Sequence, residues 1–380
     1  MKKIKFSKIN KIIGDAKKGK IFVLVDDESR ENEGDLIIPA SKVSAKSINF
    51  MAKYGRGLIC LALSQNQVNK LNLSLMSSIN NSRTQTAFTV SIDARKGISS
   101  GISAHDRAFT IKTAIKKNAT PKDIVSPGHV FPIVAKNGGV LVRSGHTEAS
   151  VDISKLSGCG TSSVICEIMN NDGTMAKGKT LYSFSKKHKM KIGKIDDLIS
   201  YRLKREKLIK LKRHSSIKIN KENYNINIFE NLLDGSEHFA LIKGNIKKNK
   251  HPRVRVISSN VIKNYIMNEK LPNSFNSTIN HFKKFKDCVL VYINDLNLRS
   301  ASEALKAYKN KKYYNKLIKL SSKSDSEIKG YDKLVKNYGI GAQIIRSIGI
   351  KNMILVTRSK KKVVGLDGYG IKIKKQEIIK

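Results

Sequence analysis

The sequence predicts an α/β (α+β) protein, with a mixed-sheet α/β sandwich as its N-terminal domain and a second α/β domain after it. Three observations lead there. Apolar strand-like runs alternate with amphipathic helical stretches, but without the strict βαβ repetition of a doubly wound sheet. Turn residues punctuate the joins at Ser126-Pro127-Gly128, Asn137-Gly138-Gly139 and Asn171-Asp172-Gly173. A polar, Lys/Asn-rich stretch over 212–227 reads as a loosely structured linker between two halves, each long enough to bury its own core.

The elements follow in order. The β-branched and aromatic run Ile21-Phe22-Val23-Leu24-Val25 reads as a buried strand, and further strands are expected at 35–38, 57–63, 87–92, 130–135 and 139–142. Helical spacing of apolar residues predicts helices at 4–16, 44–54, 106–117, 153–156 and 162–170. A helix over 195–206 closes the first domain, placed at 1–205. In the second, 206–380, strands are expected at 238–243, 253–257, 288–293 and 353–356, with helices at 301–308 and 340–348.

Composition narrows the class. A hydrophobic fraction of 40% and a charged fraction of 27% are those of a globular protein. No apolar stretch approaches the roughly 20 residues of a membrane span, so no membrane partner is expected. The start Met1-Lys2-Lys3-Ile4-Lys5-Phe6 is charged but has no apolar segment after it, which predicts a cytoplasmic protein rather than a signal peptide. Four cysteines (Cys60, Cys159, Cys166, Cys288) lack any C-x-x-C spacing, so neither disulfides nor structural zinc are indicated. The net charge is +43, with +16 on residues 1–200 and +27 on residues 201–380. Of the 73 basic residues 59 are Lys, whereas readout of bases and phosphates favours Arg. Lysine, asparagine and isoleucine are abundant together, as an AT-rich coding sequence produces, and nucleic acid is not the expected partner. The positive field still concentrates anionic substrates.

Against that background the run Asp26-Asp27-Glu28-Ser29-Arg30-Glu31-Asn32-Glu33-Gly34-Asp35 stands out, with six carboxylates and one arginine directly after the first strand. Acidic runs are commonly solvated loops. At the end of a buried strand, however, carboxylates are held close enough to share a hard divalent cation, and Mg²⁺ or Mn²⁺ would offset their repulsion. Three more clusters accompany it. His129 sits among turn residues in Ser126-Pro127-Gly128-His129-Val130-Phe131-Pro132, where a histidine alone commonly just faces solvent. Arg143-Ser144-Gly145-His146-Thr147-Glu148 puts a guanidinium, hydroxyls, an imidazole and backbone amides in one loop opening a helix, a layout suited to phosphate and metal. Glu167 lies in the apolar run Val164–Met169, where burial would raise its pKa toward acid/base use, although such a Glu can equally point to solvent.

Taken together, these clusters resemble the family of 3,4-dihydroxy-2-butanone 4-phosphate synthases of riboflavin biosynthesis over residues 1 to about 205. Tyr54-Gly55-Arg56-Gly57-Leu58-Ile59-Cys60, Ala87-Phe88-Thr89-Val90-Ser91 and Gly101-Ile102-Ser103-Ala104-His105-Asp106-Arg107 extend the match. The resemblance implies a lyase that converts ribulose 5-phosphate, a small sugar phosphate, to the four-carbon product and formate. It implies two Mg²⁺ (or Mn²⁺) ions per site and no organic cofactor. By motif, Glu31 and His146 would ligate the metal pair. Arg30, Glu31, Asp35, Glu167 and the loop Arg143, Ser144, Gly145, His146, Thr147 would contact substrate, and His129 and Glu167 would be the catalytic positions. It also implies a homodimer that completes the sites across its interface.

The C-terminal half is similar to GTP cyclohydrolase II, on Tyr338-Gly339-Ile340-Gly341-Ala342-Gln343-Ile344-Ile345 and Val364-Gly365-Leu366-Asp367-Gly368-Tyr369-Gly370, with weaker support from 238–244 and 254–256. That family holds zinc with three cysteines soon after the arginine strand. Here the stretch reads Ile257-Ser258-Ser259-Asn260-Val261-Ile262-Lys263-Asn264, and no cysteine occurs between Cys166 and Cys288. The Glu-Gly-Arg triplet is replaced around Asn294-Asp295-Leu296, and the acid and arginine before Tyr338 fall on Leu334 and Lys336. No zinc and no GTP turnover are therefore expected: the fold is kept and its reaction lost. Two alternatives stay open for this half: a reaction on GTP or another nucleotide, and a nucleic-acid or regulatory binding role.

Overall fold

The computed structural model describes residues 5–27, 30–77, 80, 86–246, 248–259, 273–294, 331–358 and 369–379. Two compact units divide between Tyr201 and Arg202.

In the first unit the strands are β1 (Phe22–Val25), β2 (Gly34–Pro39), β3 (Cys60–Ser64), β4 (Ile92–Ala94), β5 (Ile124–Ala135), β6 (Ser162–Glu167) and β7 (Ile192–Lys194). They form one mixed sheet in the order β4-β5-β3-β6-β2-β1-β7. β3 runs parallel to β5 and β1 to β7, and the other pairings are antiparallel. The helices are α1 (Ile9–Lys17), α2 (Ala45–Phe50), α3 (Gln65–Lys70), α4 (Ala104–Ala114), α5 (His146–Leu156) and α6 (Lys179–Lys187), and α7 (Ile195–Arg205) begins in this unit and ends with residues 202–205 of the second. α1 packs with α5, and α5 lies along β2, β3 and β6, while α2 packs with α4. Burial drives this arrangement. Leu36, Ile38, Leu61, Leu63 and Val164 are at most 1% exposed and pack with Ile48, Met51 and Ile111 from the helices, each burial contributing roughly 1.5–3 kcal/mol.

Two expected elements of this unit change type. Residues 139–142 form a short 3₁₀ turn (Gly139–Leu141) rather than a strand, because Gly138 and Gly139 both adopt positive φ and break the extended chain. Residues 162–167 form a central strand rather than a helix. The small side chains of Ser162 and Ser163 let α5 approach, with Ser163 bonded to Ser154 Oγ at 2.7 Å and to the Ser150 carbonyl at 2.9 Å.

The second unit is another mixed sheet, of β8 (Ile209–Ile219), β9 (Glu222–Asn231), β10 (Glu237–Lys243), β11 (Arg253–Ser259), β12 (Cys288–Asn294), β13 (Asn352–Thr357) and β14 (Lys372–Ile378), in the order β14-β13-β11-β12-β10-β9-β8. Helices α8 (Asn273–Phe282) and α9 (Tyr331–Ser347) belong to it. The segment 212–227, expected as a loose linker, is instead most of a long β8–β9 hairpin. Its two-residue turn, Asn220-Lys221, has φ of 48° and 69°, as a type I′ turn requires. Ile217, Ile219, Tyr224 and Ile226 pack on the core of this unit. The expected helix at 301–308, the motif over 364–368, and the stretch over 260–264 with Asp295 and Leu296 lie outside the described residues. Among the described residues no helix is long and apolar enough to cross a membrane.

Candidate active site

β1 delivers the acidic loop, β2 returns from it, and β6 pairs with β2 so that Asp35 stands opposite Glu167. The N-terminus of α5 brings His146 to the same place, 3.8 Å from Asp35. A cleft of about 500 Å³ opens here, lined by Arg30, Glu31, Glu33, Asp35, Cys60, Arg143, His146, Thr147 and Glu167, with Leu75, Met76, Thr86 and Phe88 on its apolar side. Eight of the ten sequence-predicted site residues therefore converge or sit beside one another: Arg30, Glu31, Asp35, Arg143, His146, Thr147 and Glu167 line the cleft, and Gly145 is packed against the Arg143–Glu148 pair. Ser144 is not among the lining residues, and neither is His129, which lies on β5 with its side chain 41% exposed. Glu28 and Ser29 lie outside the described residues.

The electrostatics are those of crowded acids held by few cations. Arg30 Nη1 donates to Asp26 at 2.6 Å and to Glu31 at 2.5 Å, so a guanidinium supplies the positive charge between these carboxylates. Burial, then Glu167, Asp26 and Glu31, push the Asp35 carboxyl well above its ordinary value, against Arg30. Burial also raises Glu167, opposed by the Leu58 N–H, which donates to its Oε2 at 2.9 Å, and by nearby His146. Burial lowers His146, opposed chiefly by Asp26. Lys177 steadies the loop from outside by donating to the Glu31 carbonyl at 2.9 Å.

A divalent cation fits this arrangement. One ligand atom each from Asp26, Glu31 and His146 lie within 4.8 Å of one another. His146 is 8% exposed and hydrogen-bonded to the Leu24 carbonyl, while its Nε2 is buried without a partner. A ring fixed through one nitrogen with the other left open is how proteins present imidazole to a metal. Asp26 was missed as a candidate ligand. It differs from its acidic neighbours only in being the first residue past β1, where the sheet fixes it.

Arg143, which also lines the cleft, pairs through Nη1 with Glu148 at 2.5 Å, and its Nη2 donates to Thr86 Oγ1 at 3.1 Å. Glu148 in turn accepts from the Lys136 N–H at 3.0 Å. A positioned guanidinium beside the first turn of α5 suits an anionic group such as phosphate.

Such a site, on a mixed α/β sandwich, defines an enzyme acting on a small anionic molecule. Comparison with known proteins gives the family. Residues 10–201 match the model of 3,4-dihydroxy-2-butanone 4-phosphate synthase, and residues 211–378 that of GTP cyclohydrolase II. The riboflavin biosynthesis protein RibBA of Aquifex aeolicus is 41% identical over 99% of this chain and 93% of its own length. The crystal structure of RibBX, a two domain 3,4-dihydroxy-2-butanone 4-phosphate synthase from A. baumannii, is 35% identical with a TM-score of 0.78 and covers 98% of this chain and 99% of that one. A 3,4-dihydroxy-2-butanone 4-phosphate synthase in complex with two magnesium ions is 37% identical with a TM-score of 0.51, covering 53% of this chain and 98% of that one. The chain belongs to the 3,4-dihydroxy-2-butanone 4-phosphate synthase family of riboflavin biosynthesis and carries a GTP cyclohydrolase II-type second domain.

Proposed function

We propose that the protein converts ribulose 5-phosphate to 3,4-dihydroxy-2-butanone 4-phosphate and formate, with two divalent cations, Mg²⁺ or Mn²⁺, in each site. The observation that carries this reading is the orphaned Nε2 of buried His146, a residue that lines the cleft with Glu31 and whose ligand atom lies within 4.8 Å of those of Glu31 and Asp26. Glu31 and His146 would hold the metal, joined by Asp26. A bound cation would supply Lewis acidity beside the sugar carbonyl. Arg143, Thr147 and the amides around Ser144 and Gly145 take the phosphate, while Arg30 and Asp35 contact the sugar. Glu167, its carboxyl raised by burial, is suited to hold and return a proton during enolisation and dehydration.

His129 does not line the cleft that holds Glu167, which supports a homodimer in which it serves the partner's site. The second domain is read as catalytically inactive toward GTP. Gln343 is occupied structurally: its Nε2 donates to the carbonyls of Leu203 and Glu206, and its Oε1 accepts from the Leu208 N–H. The test is incubation of pure protein with ribulose 5-phosphate and Mg²⁺. Formate release that EDTA abolishes and Mg²⁺ restores is expected, and release at full rate after exhaustive chelation would sink the metal assignment.

A further inference from the structure

We propose that Asp93 is the positioning residue of His129: it fixes the Nδ1-protonated form of the ring and so presents Nε2 as the proton-accepting atom. The inference deepens the function proposed above and rests on the catalytic position that the family resemblance gives His129. Asp93 closes the β4 side of a tight enclosure around that residue. It is 6% exposed, and its two oxygens divide the work. Oδ1 accepts from the His129 backbone N–H at 3.1 Å, and Oδ2 lies 2.7 Å from Nδ1. An ionised carboxylate only accepts, so Nδ1 must carry the proton, and Nε2 is left as the accepting nitrogen of a side chain that is 41% exposed.

Two glycines make the enclosure possible. A Cβ at Gly101 would overlap both Asp93 Oδ2 and His129 Nδ1, and one at Gly128 would overlap the backbone of Ile92 and Asp93. Each is itself held. Gly128 donates its N–H to Ser91 Oγ at 3.1 Å. The Gly101 N–H donates to Asp106 Oδ2 at 3.1 Å, an oxygen that also takes the Ser99 hydroxyl at 2.8 Å. The run Gly101–Asp106, which has no place at the metal cleft, thereby acquires a purpose: it braces the loop that seals Asp93 against the ring.

The bonding to both oxygens makes one substitution unusually informative. In Asp93→Asn the His129 N–H still requires an acceptor, so the amide oxygen stays at the Oδ1 position and the NH₂ group faces Nδ1. Nδ1 must then accept, and the proton moves to Nε2. The volume is unchanged while the tautomer is reversed, which a merely structural carboxylate would not do. Loss of a general base removes about 10²- to 10⁴-fold of rate. In the full chain, D93N should lower kcat for formate release by at least about 100-fold, with KM for ribulose 5-phosphate held within about threefold because the phosphate and metal groups are untouched. Histidine-selective ¹⁵N NMR, with the His129 signals identified by their loss in His129→Gln, should show the proton on Nδ1 in the wild-type protein and on Nε2 in D93N.

A D93N variant with kcat within about threefold of wild type overturns the proposal, as does a wild-type spectrum showing Nε2–H, a measurement that needs no variant to fold. His129→Ala separates the two levels of argument. If it is inactive while D93N is fully active, the positioning role of Asp93 falls and the role of His129 stands. If it releases formate at the wild-type rate, the role of His129 falls and the positioning role goes with it.

Discussion

Asp35 and Glu167 occupy directly opposed positions on β2 and β6, so two carboxyl groups share one face of the sheet at the floor of the cleft. Burial and mutual repulsion raise the Asp35 carboxyl, and burial raises Glu167. A sheet optimised for stability alone would not place them there. The apolar strands around them, with Leu36 and Cys166 paired on the other face, are rigid enough to hold the arrangement.

The first prediction follows from that cost. A carboxyl raised in the fold keeps a proton that the unfolded chain releases near its ordinary value of 3.8, so stability declines as pH rises from there through the folded value. Asp35→Asn removes the decline. In EDTA at pH 8 this variant should unfold at a higher temperature than wild type, by about 1 kcal/mol of stability, and the gap should narrow near pH 4. It should also be inactive. A lower melting temperature at pH 8 would show that Asp35 stabilises the apo fold.

Metal binding gives the second. Glu31→Gln and His146→Ala should weaken Mn²⁺ binding, followed by its electron paramagnetic resonance, by at least about 100-fold, and Asp26→Asn should do so as well. Circular dichroism should be unchanged, because none of the three fills the core. Undiminished Mn²⁺ affinity in H146A would remove the histidine from the ligand set.

Much of this site was legible because its residues are close in sequence to a strand end or a helix start. Asp26 to Asp35 follow β1, and Arg143 to Thr147 open α5, so local pattern sufficed. What failed were elements whose type is decided by tertiary packing rather than by local pattern. The β6 run Ser-Ser-Val-Ile-Cys-Glu is covered on both faces along most of its length and shows no period of two, leaving strand and helix indistinguishable by pattern. The β8–β9 hairpin failed for the opposite reason. Its Lys and Asn content suggested a linker, although Ile217, Ile219, Tyr224, Ile226 and Ile228 alternate cleanly and could have revealed it. The Asp93–His129 pair joins residues 36 apart, a relation no local motif expresses.

Gly57 carries the third prediction. A Cβ there would lie 2.5 Å from Glu167 Oε2 and 2.7 Å from both its Cβ and its backbone nitrogen. Gly57→Ala must therefore displace the acid or push residue 57 away from β6. Misplacement on the order of 1 Å costs about 100-fold in rate, and kcat should drop by at least about tenfold with little change in Mn²⁺ binding, since Asp26, Glu31 and His146 are elsewhere. Full activity in G57A would show that the position of Glu167 is not critical.

The fourth prediction tests assembly. If His129 serves the partner's cleft, His129→Ala and His146→Ala damage different sites of a dimer. Mixed after co-unfolding, the two inactive proteins should recover roughly a quarter of wild-type activity, because half the dimers are mixed and each has one intact site. Residues 1–205 alone should sediment as a dimer. No recovery on mixing, with dimers shown to exchange, would place His129 in its own chain's site.

The last prediction concerns the second domain. Zinc that activates water needs three protein ligands, and the only thiol in residues 202–380, Cys288, is fully buried on β12, with burial pushing its pKa up to about 12. A thiol so placed is a core residue, not a thiolate ligand. Arg255 is likewise drawn inward, donating from Nη1 to the Val356 carbonyl at 3.0 Å, and Gln343 is tied to the chain around Leu203 and Leu208. Purified protein should therefore hold no stoichiometric zinc and release neither formate nor pyrophosphate from GTP, although GTP binding without turnover is compatible with this. Metal analysis beside a GTP turnover assay is the measurement. Equimolar zinc together with turnover blocked by a zinc chelator would mean that other side chains of this half have replaced the missing cysteines, since Cys288 cannot supply a three-ligand cage alone.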